Sequence, residues 1–540
     1  MVARILLAVR RLVAAVPGLR RLFCRSPALQ ALDLLFRRML RSVGRRGMPM
    51  EGTATVAAAR EAALFGDLRR AVDIGAAVVA RSCGDPAFHR SLVDWVQRTG
   101  EAGTRAQTLW QALSADAALV SGRDRDALAA LLTSVGLEIL SHNGLSASLR
   151  FLRLAGTLSP TPDRAFCTQM CEFLVGACAD AAEAGQTLAS ASAPPTVFGY
   201  VVWGSAYVDA FMKYHIRSLL APGNLPALTA RRLVVSIVTT PEDRARIVSH
   251  QQFAALARHA EVHFSLVSGH LCARNNSLAP DQLFYRFYGA LDHINLHFAG
   301  AAGADVFLLP VDCLVADGSI RAMTGYLAQG YDSCGGANIV AKTESFLPAL
   351  DAVCPGDGPI VLDTRRLASL ALKHCHQYTA SQWMVRGNRS FGRWPRELFW
   401  PVKGGVVAHS IYTHPLFISA RALGAGIEFP YSSADFLLTA RIFQDRGTFR
   451  RFRVISDASE AYISNFTSTH RRFEETDRPF DPRAFAAAHR GAYPIHRHMF
   501  CQRQFVPTLG GEAGDRDPDA DMAVIQAQLG VPAGQQVPDF

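Results

Sequence analysis

Asp312 is the side chain whose surroundings most suggest chemistry. It closes the run Asp305-Val306-Phe307-Leu308-Leu309-Pro310-Val311-Asp312, which follows a small-residue stretch from Ala299 to Ala304. The run is too short for an ordinary helix and suits a strand buried on both faces. Ligands of open α/β sheets sit at the carboxyl ends of strands, so an acid at this tip can handle a metal or a phosphate. It can equally do no more than begin the turn that Asp317-Gly318-Ser319 carries into a helix. The cysteines offer less. Eleven are scattered without a CxxC pair. Cys167, Cys171 and Cys178 share helix-like spacing and Cys375 sits in His374-Cys375-His376, but neither group has zinc-site spacing. Such usage points to buried thiols in a reducing compartment, not to a disulfide scaffold.

The elements that position such residues differ along the 540-residue chain, which is long enough for several domains. A content of 49% hydrophobic and 19% charged residues is that of a folded protein with a sizeable core. Residues 1–50 hold eleven Arg, no Lys and one acid, Asp33, so this segment alone carries the net charge of +10. The rest balances at 45 basic and 45 acidic groups, which excludes a basic nucleic-acid face on the body. Residues 1–46 read as basic amphipathic helices broken at Pro17-Gly18. They fit a helix lying on an anionic membrane, a cleaved organellar targeting peptide, or a helix packed on the next domain. Residues 51–190 are rich in Ala, Leu and Arg without alternation and read as all helix. Gly66 and Gly100 lie 34 residues apart, the period of tetratricopeptide (TPR) helical pairs, although Gly144 falls off that register. A partner-binding TPR-like array and a plain helical bundle both remain open. No stretch reads as a transmembrane span; the uncharged 185–207 is broken by Gln186, several serines and Pro194-Pro195.

After the small, polar linker at 187–196 the texture changes to short apolar runs between helical stretches. Strands are expected at 197–203, 232–240, 262–267, 305–312 and 334–340, with helices at 204–220, from Glu242, at 281–298 and at 319–328. Alternation of this kind means a parallel or mostly parallel α/β sheet. Asn295 and His297, on or beside the apolar stripe of the 281–298 helix, read as core groups with hydrogen-bond partners.

Several of these residues also carry a resemblance. Trp203-Gly204 followed by Tyr207-Val208, the run Ser218-Leu219-Leu220-Ala221-Pro222-Gly223-Asn224-Leu225-Pro226-Ala227-Leu228, and the strand ending Thr239-Thr240 resemble the start of a bacterial group of GT-A-like glycosyltransferases. Pro310-Val311-Asp312, Asp317-Gly318-Ser319 and Thr413-His414-Pro415-Leu416 resemble its later landmarks, and the likeness covers roughly 197–470. The resemblance implies a nucleotide-sugar donor and a divalent cation, Mn²⁺ or Mg²⁺, that stabilises the departing diphosphate. Trp203, Gly204, Thr239, Thr240 and Asp312 would bind the donor. Asp312 would be the second acid of a metal-binding pair and His414 a further ligand, with His409 its rival. Pro310, which offers no ligand, stands at the first acid's place. Asp435, in the first turn of the helix opened by Tyr431-Ser432-Ser433, would take the acceptor's proton, with Asp457 and Glu460 as rivals. Trp383, Trp394 and Trp400 alternate with Arg386, Arg389 and Arg393 and suit either a sugar diphosphate or a packed surface loop.

The expected organisation is therefore a basic arm (1–50), an all-helical TPR-like domain (51–190), a GT-A-like α/β domain with a Rossmann-like mixed sheet (197–505), and a polar tail (506–540), largely disordered but with room for a short helix near Met522–Leu529. The expected function is sugar transfer from a nucleotide sugar to a glycan, lipid-linked or protein acceptor, in the cytoplasm or peripherally on the inner membrane face through residues 1–46. A non-catalytic adaptor whose helical domain binds a partner protein is the alternative.

Overall fold

A computed structural model describes residues 55–64, 67–78, 88, 91–92, 95, 110, 114, 123–142, 144–189, 194–277, 282–388, 396–411, 417–424, 438–443, 446–468, 479–489 and 492–529. The chain forms two compact units, Met1–Cys171 and Glu172–Phe540. The division falls inside the helix Pro162–Gln186, upstream of the linker read at 187–196.

The described elements of the first unit are all helices: α1 (Val56–Leu64), α2 (Leu68–Val78), α3 (Arg123–His142), α4 (Leu145–Leu158) and the start of α5 (Pro162–Gln186). Asp67 Oδ1 accepts the Arg70 amide at 3.1 Å and so caps α2. Gly144 takes φ 104, which a side chain would resist, and this lets α3 turn into α4. Val72, Leu92, Leu132, Val135 and Phe151 form its core. Gly66, Gly100 and the arm at 1–50 lie outside the described residues. Among the described residues no helix is long and apolar enough to cross a membrane.

The second unit is mixed α/β. Its described strands are β1 (Thr196–Val201), β2 (Leu233–Thr239), β3 (Glu261–Leu266), β4 (Asp305–Leu308), β5 (Cys313–Val315), β6 (Ser333–Gly335) and β7 (Ala341–Lys342). Six more follow: β8 (Glu397–Val402), β9 (Gly405–Ser410), β10 (Phe417–Ile418), β11 (Phe452–Val454), β12 (Ile463–Thr467) and β13 (Gln504–Pro507). Seven form one sheet in the order β3-β2-β1-β4-β10-β6-β11, and β10 runs antiparallel to both its neighbours. Two smaller sheets, β5-β12-β7 and β13-β9-β8, complete the unit. β1 and β2 are buried along their whole length, as unbroken apolar runs require when both faces are covered. Phe198 and Phe307 stack at 4.9 Å between neighbouring strands.

Helices α6 (residues 205–219, with a π turn at Phe211–His215), α7 (Pro241–Ser249), α8 (Gln282–Ala301) and α9 (Ser319–Ala328) alternate with the strands. Asn295 behaves as expected: its amide donates to Tyr200 O at 3.1 Å. In the π turn, buried His215 meets the Tyr200 hydroxyl at 3.0 Å and Cys313 O at 3.0 Å, and burial lowers its pKa to about 4.

Three expectations need correction. The strand read through Asp312 ends at Leu308, since Pro310 has no N–H to continue a ladder, and Asp312 sits in the bend before β5. The strand read at 334–340 is only Ser333–Gly335, and the chain then runs irregularly to β7. Residues 506–529 are not a disordered tail: Val506 lies in β13 against β9, and helix α10 (Pro518–Leu529) buries Met522, Ile525 and Leu529. Trp400 Nε1 donates to Asp521 Oδ2 at 2.8 Å, so an acid of the polar 506–540 segment anchors this helix. Among the described residues every cysteine is a free thiol, and burial pushes Cys375 and Cys501 up to about 11.

Candidate functional site

The direction of the sheet's connections reverses beside β1, with β2 and β3 on one flank and β4 on the other. Such a switch point opens a crevice at the carboxyl ends of the parallel strands. Trp203-Gly204 follow β1, Thr239-Thr240 close β2, and Pro310 to Asp312 follow β4. These expected donor-binding residues, far apart in sequence, therefore share one rim because the parallel register of β1 with β2 and β4 aligns the strand ends.

Asp243 ties two of them together. Gly204 N–H donates to Asp243 Oδ2 at 2.6 Å, the Thr240 hydroxyl donates to the same oxygen at 3.1 Å, and the Asp243 amide returns a bond to Thr240 Oγ1. Thr240 thus caps α7, and Thr240-Pro241-Glu242-Asp243 is a helix-start pattern that marks Asp243 in the sequence. Gly204 adopts φ 86, and a Cβ added there meets nothing within 4 Å. The cost of Gly204→Ala is therefore conformational alone. It should lower stability by about 1–2 kcal/mol, read as a shift of the urea midpoint at unchanged m.

Trp203 Nε1 donates to Asn276 Oδ1 at 3.3 Å, and its ring lies 5.7 Å from that of Tyr288. Burial, and then the charges of Asp292 and Asp312, push the Tyr288 hydroxyl well above its ordinary pKa. Asp292, on α8, is thus a second acid acting on Tyr288 that sequence spacing did not reveal. Asp312 itself is half-buried, and its carbonyl accepts the Phe466 amide at 2.9 Å. Among the described residues no three His, Cys, Asp or Glu side chains are grouped to hold a metal. His414 and Asp435 lie outside the described residues. With Pro310 in place of one acid, the described donor set does not make a metal clamp.

Asp317 does not cap α9; Gly318 holds that position with φ 88. Instead Asp317 Oδ1 accepts the Gly223 amide at 2.6 Å, and Asn224 bonds Ala316 O and the Ile320 amide. The 220–226 run and the Asp317-Gly318-Ser319 turn are therefore one docked structure. A Cβ on Gly223 would lie 2.6 Å from Gly318 N, which is why glycine stands there.

Asp457 is exposed and its Oδ1 accepts the Ser459 amide at 2.8 Å, closing a turn. Glu460 accepts the Tyr326 hydroxyl at 2.7 Å and pairs with Arg453 at 3.5 Å, a link between loop and helix. His409 points into the cluster around Trp400 and Phe500, bonds Phe500 O at 2.8 Å, and burial lowers its pKa to about 4. Trp400 is fully buried rather than presented on a loop, Trp383 packs on Phe399, and Arg386 pairs with Asp515. Trp394, Arg389 and Arg393 lie outside the described residues.

The cavity lies beside this rim. A partly open cavity of about 160 Å³ lies where Pro310 follows β4, Gly336 to Asn338 follow β6 and Ile455 follows β11, against the face of the β13-β9-β8 sheet. Glu397, opposite Ser410 in the β8–β9 register, lines it and is 8% exposed. Burial raises the Glu397 pKa to about 7, while the Asn338 backbone, the Ser410 side chain and the Arg396 charge pull it only partly back. Gln504 also lines the cavity, 1% exposed, and neither atom of its amide has a hydrogen-bond partner among the described residues. Glu397 had a sequence signal, an acid opening the aromatic strand Glu397-Leu398-Phe399-Trp400; Gln504 had none.

Fold and site together define an open, mixed α/β sheet whose carboxyl edge gathers Trp203, Gly204, Thr239, Thr240 and Asp312, preceded by a unit whose described elements are all helices. No protein-family model matches the chain, and no curated protein matches it.

Proposed function

We propose that the α/β unit binds a nucleotide sugar and transfers its sugar to a glycan, lipid-linked or protein acceptor, as a GT-A-like glycosyltransferase. The observation that carries this reading is the convergence of Trp203-Gly204, Thr239-Thr240 and Asp312 on one carboxyl rim across the switch point. The rim also receives the starts of α6 and α7. Trp203 offers an aromatic face beside them. The chemistry required is attack of an acceptor oxygen on the anomeric carbon while the bond to the diphosphate breaks and its electrons leave with the nucleotide. The helical unit would serve partner or acceptor binding, and the basic arm would meet an anionic membrane.

Pro310 favours a second reading, a non-catalytic protein that keeps the sheet and binds partners through its helices. A thermal-shift panel of UDP-, GDP- and CMP-sugars separates the two. A donor present at 100 times its Kd adds about 2.7 kcal/mol, so one nucleotide sugar should raise the midpoint by several degrees. Asp312→Ala should abolish that rise. A flat response to every donor would leave the adaptor.

A further inference from the structure

We propose that the cavity between the carboxyl ends of β4, β6 and β11 and the β13-β9-β8 sheet is a binding site for an uncharged, polyhydroxylated ring, held by the Gln504 amide and the Glu397 carboxyl. The inference deepens the transferase reading and rests on it for which sugar the ring belongs to; the site itself stands on its own geometry.

The unpaired amide is the starting observation. A glutamine carbonyl and NH₂ buried without partners each forfeit hydrogen bonds that water would supply, and native interiors avoid this unless something else completes the pair. Gln504 lines the cavity from β13, whose backbone is paired with β9 through the Gln504–Ala408 register. A group that gives and accepts a hydrogen bond at neighbouring atoms satisfies an amide, and vicinal hydroxyls do so. Glu397 faces the same space and adds an acceptor when ionised or a donor when protonated.

The remaining lining narrows the class. Asn338 Nδ2 donates to Asn465 Oδ1 at 2.7 Å, and Asn338 Oδ1 accepts the Asn465 amide at 3.0 Å, so this pair stands pre-assembled on another wall. The polar groups come from four separate segments, the loop after β6, β8, β12 and β13, which suits a ring carrying hydroxyls on several sides. Arg396 is the cavity's one basic lining residue and is exposed, whereas buried Glu397 is acidic, an arrangement that disfavours phosphate. About 160 Å³ greatly exceeds the ~10–15 Å³ one water needs.

Saturation-transfer NMR on the full chain tests the site, with methyl glycosides of common hexoses, N-acetylhexosamines, deoxyhexoses and myo-inositol as probes. Uridine and inorganic phosphate serve as comparisons. At least one polyol should bind, and Gln504→Leu should weaken it at least tenfold. The leucine removes two unpaired polar atoms from the interior, so its thermal midpoint should match or exceed that of the parent, and lost binding cannot then be ascribed to unfolding. Glu397→Gln, which keeps the shape, should weaken binding less than Gln504→Leu. Binding by no polyol, equal binding by the leucine variant, or preference for uridine or phosphate would each overturn the proposal. Polyol binding without any nucleotide-sugar response would retain this site and remove the transferase; the reverse pattern would remove only the site.

Discussion

Asn224→Leu is expected to destabilise the α/β unit by about 3 kcal/mol, within the range set by leaving buried polar groups unmet. Asn224 is fully buried, and its amide donates to Ser218 O at 2.9 Å and Ala316 O at 3.2 Å while its Oδ1 accepts the Ile320 amide at 3.1 Å. The two carbonyls keep a second partner each, from the Ala221 and Ser319 amides. Ile320 N–H loses its side-chain acceptor, and it belongs to the first turn of α9, where no intrahelical acceptor exists. Most of the cost therefore falls on that one donor and on the empty polar space around it. Urea unfolding of parent and variant should show a lower midpoint with unchanged slope. A loss under about 1 kcal/mol would mean that water replaces the side chain and that the docking of 220–226 on α9 is less tight than its distances imply.

Glu397→Gln should act in the opposite direction, with an effect that grows as pH rises from about 4.5 to 7. The folded carboxyl titrates near 7, against 4.5 for an ordinary glutamate, so the folded state holds the proton more tightly than the unfolded chain. Stability associated with this group is full below about pH 4.5 and is lost as pH rises through 7. That difference in proton affinity corresponds to about 3 kcal/mol. Glutamine never ionises, so the variant should be more stable than the parent at pH 8 by up to that amount and equal to it near pH 4.5. Denaturant curves at the two values decide the matter. A variant less stable at both would show that the carboxylate is held by partners that favour its charge.

Much of the α/β unit was legible because its central strands are declared by composition alone. Runs such as Leu233 to Thr239 have no polar face, which only a doubly covered strand tolerates, and the helices between them carry apolar stripes. Once these strands are taken as parallel, their carboxyl ends must share an edge, so Trp203, Gly204, Thr240 and Asp312 could be grouped before any coordinates. Asp243 was within reach of the same reasoning through its helix-start pattern. Trp400 was not: burial among Leu398, Val407 and Phe500 depends on a sheet whose third strand arrives a hundred residues later.

Residue order thus determined the two kinds of unit, the parallel strands and the rim they present, since those follow from local patterns of apolar and polar side chains. Tertiary structure alone decided that Phe417–Ile418 inserts antiparallel between β4 and β6, that residues 504–529 fold back as a strand and a helix, and that Glu397 and Gln504 meet in one cavity. The physical reason is that a two-residue strand or a polar terminal segment has too little apolar surface to declare itself. Its place is set by backbone hydrogen bonds and burial offered by partners distant in the chain.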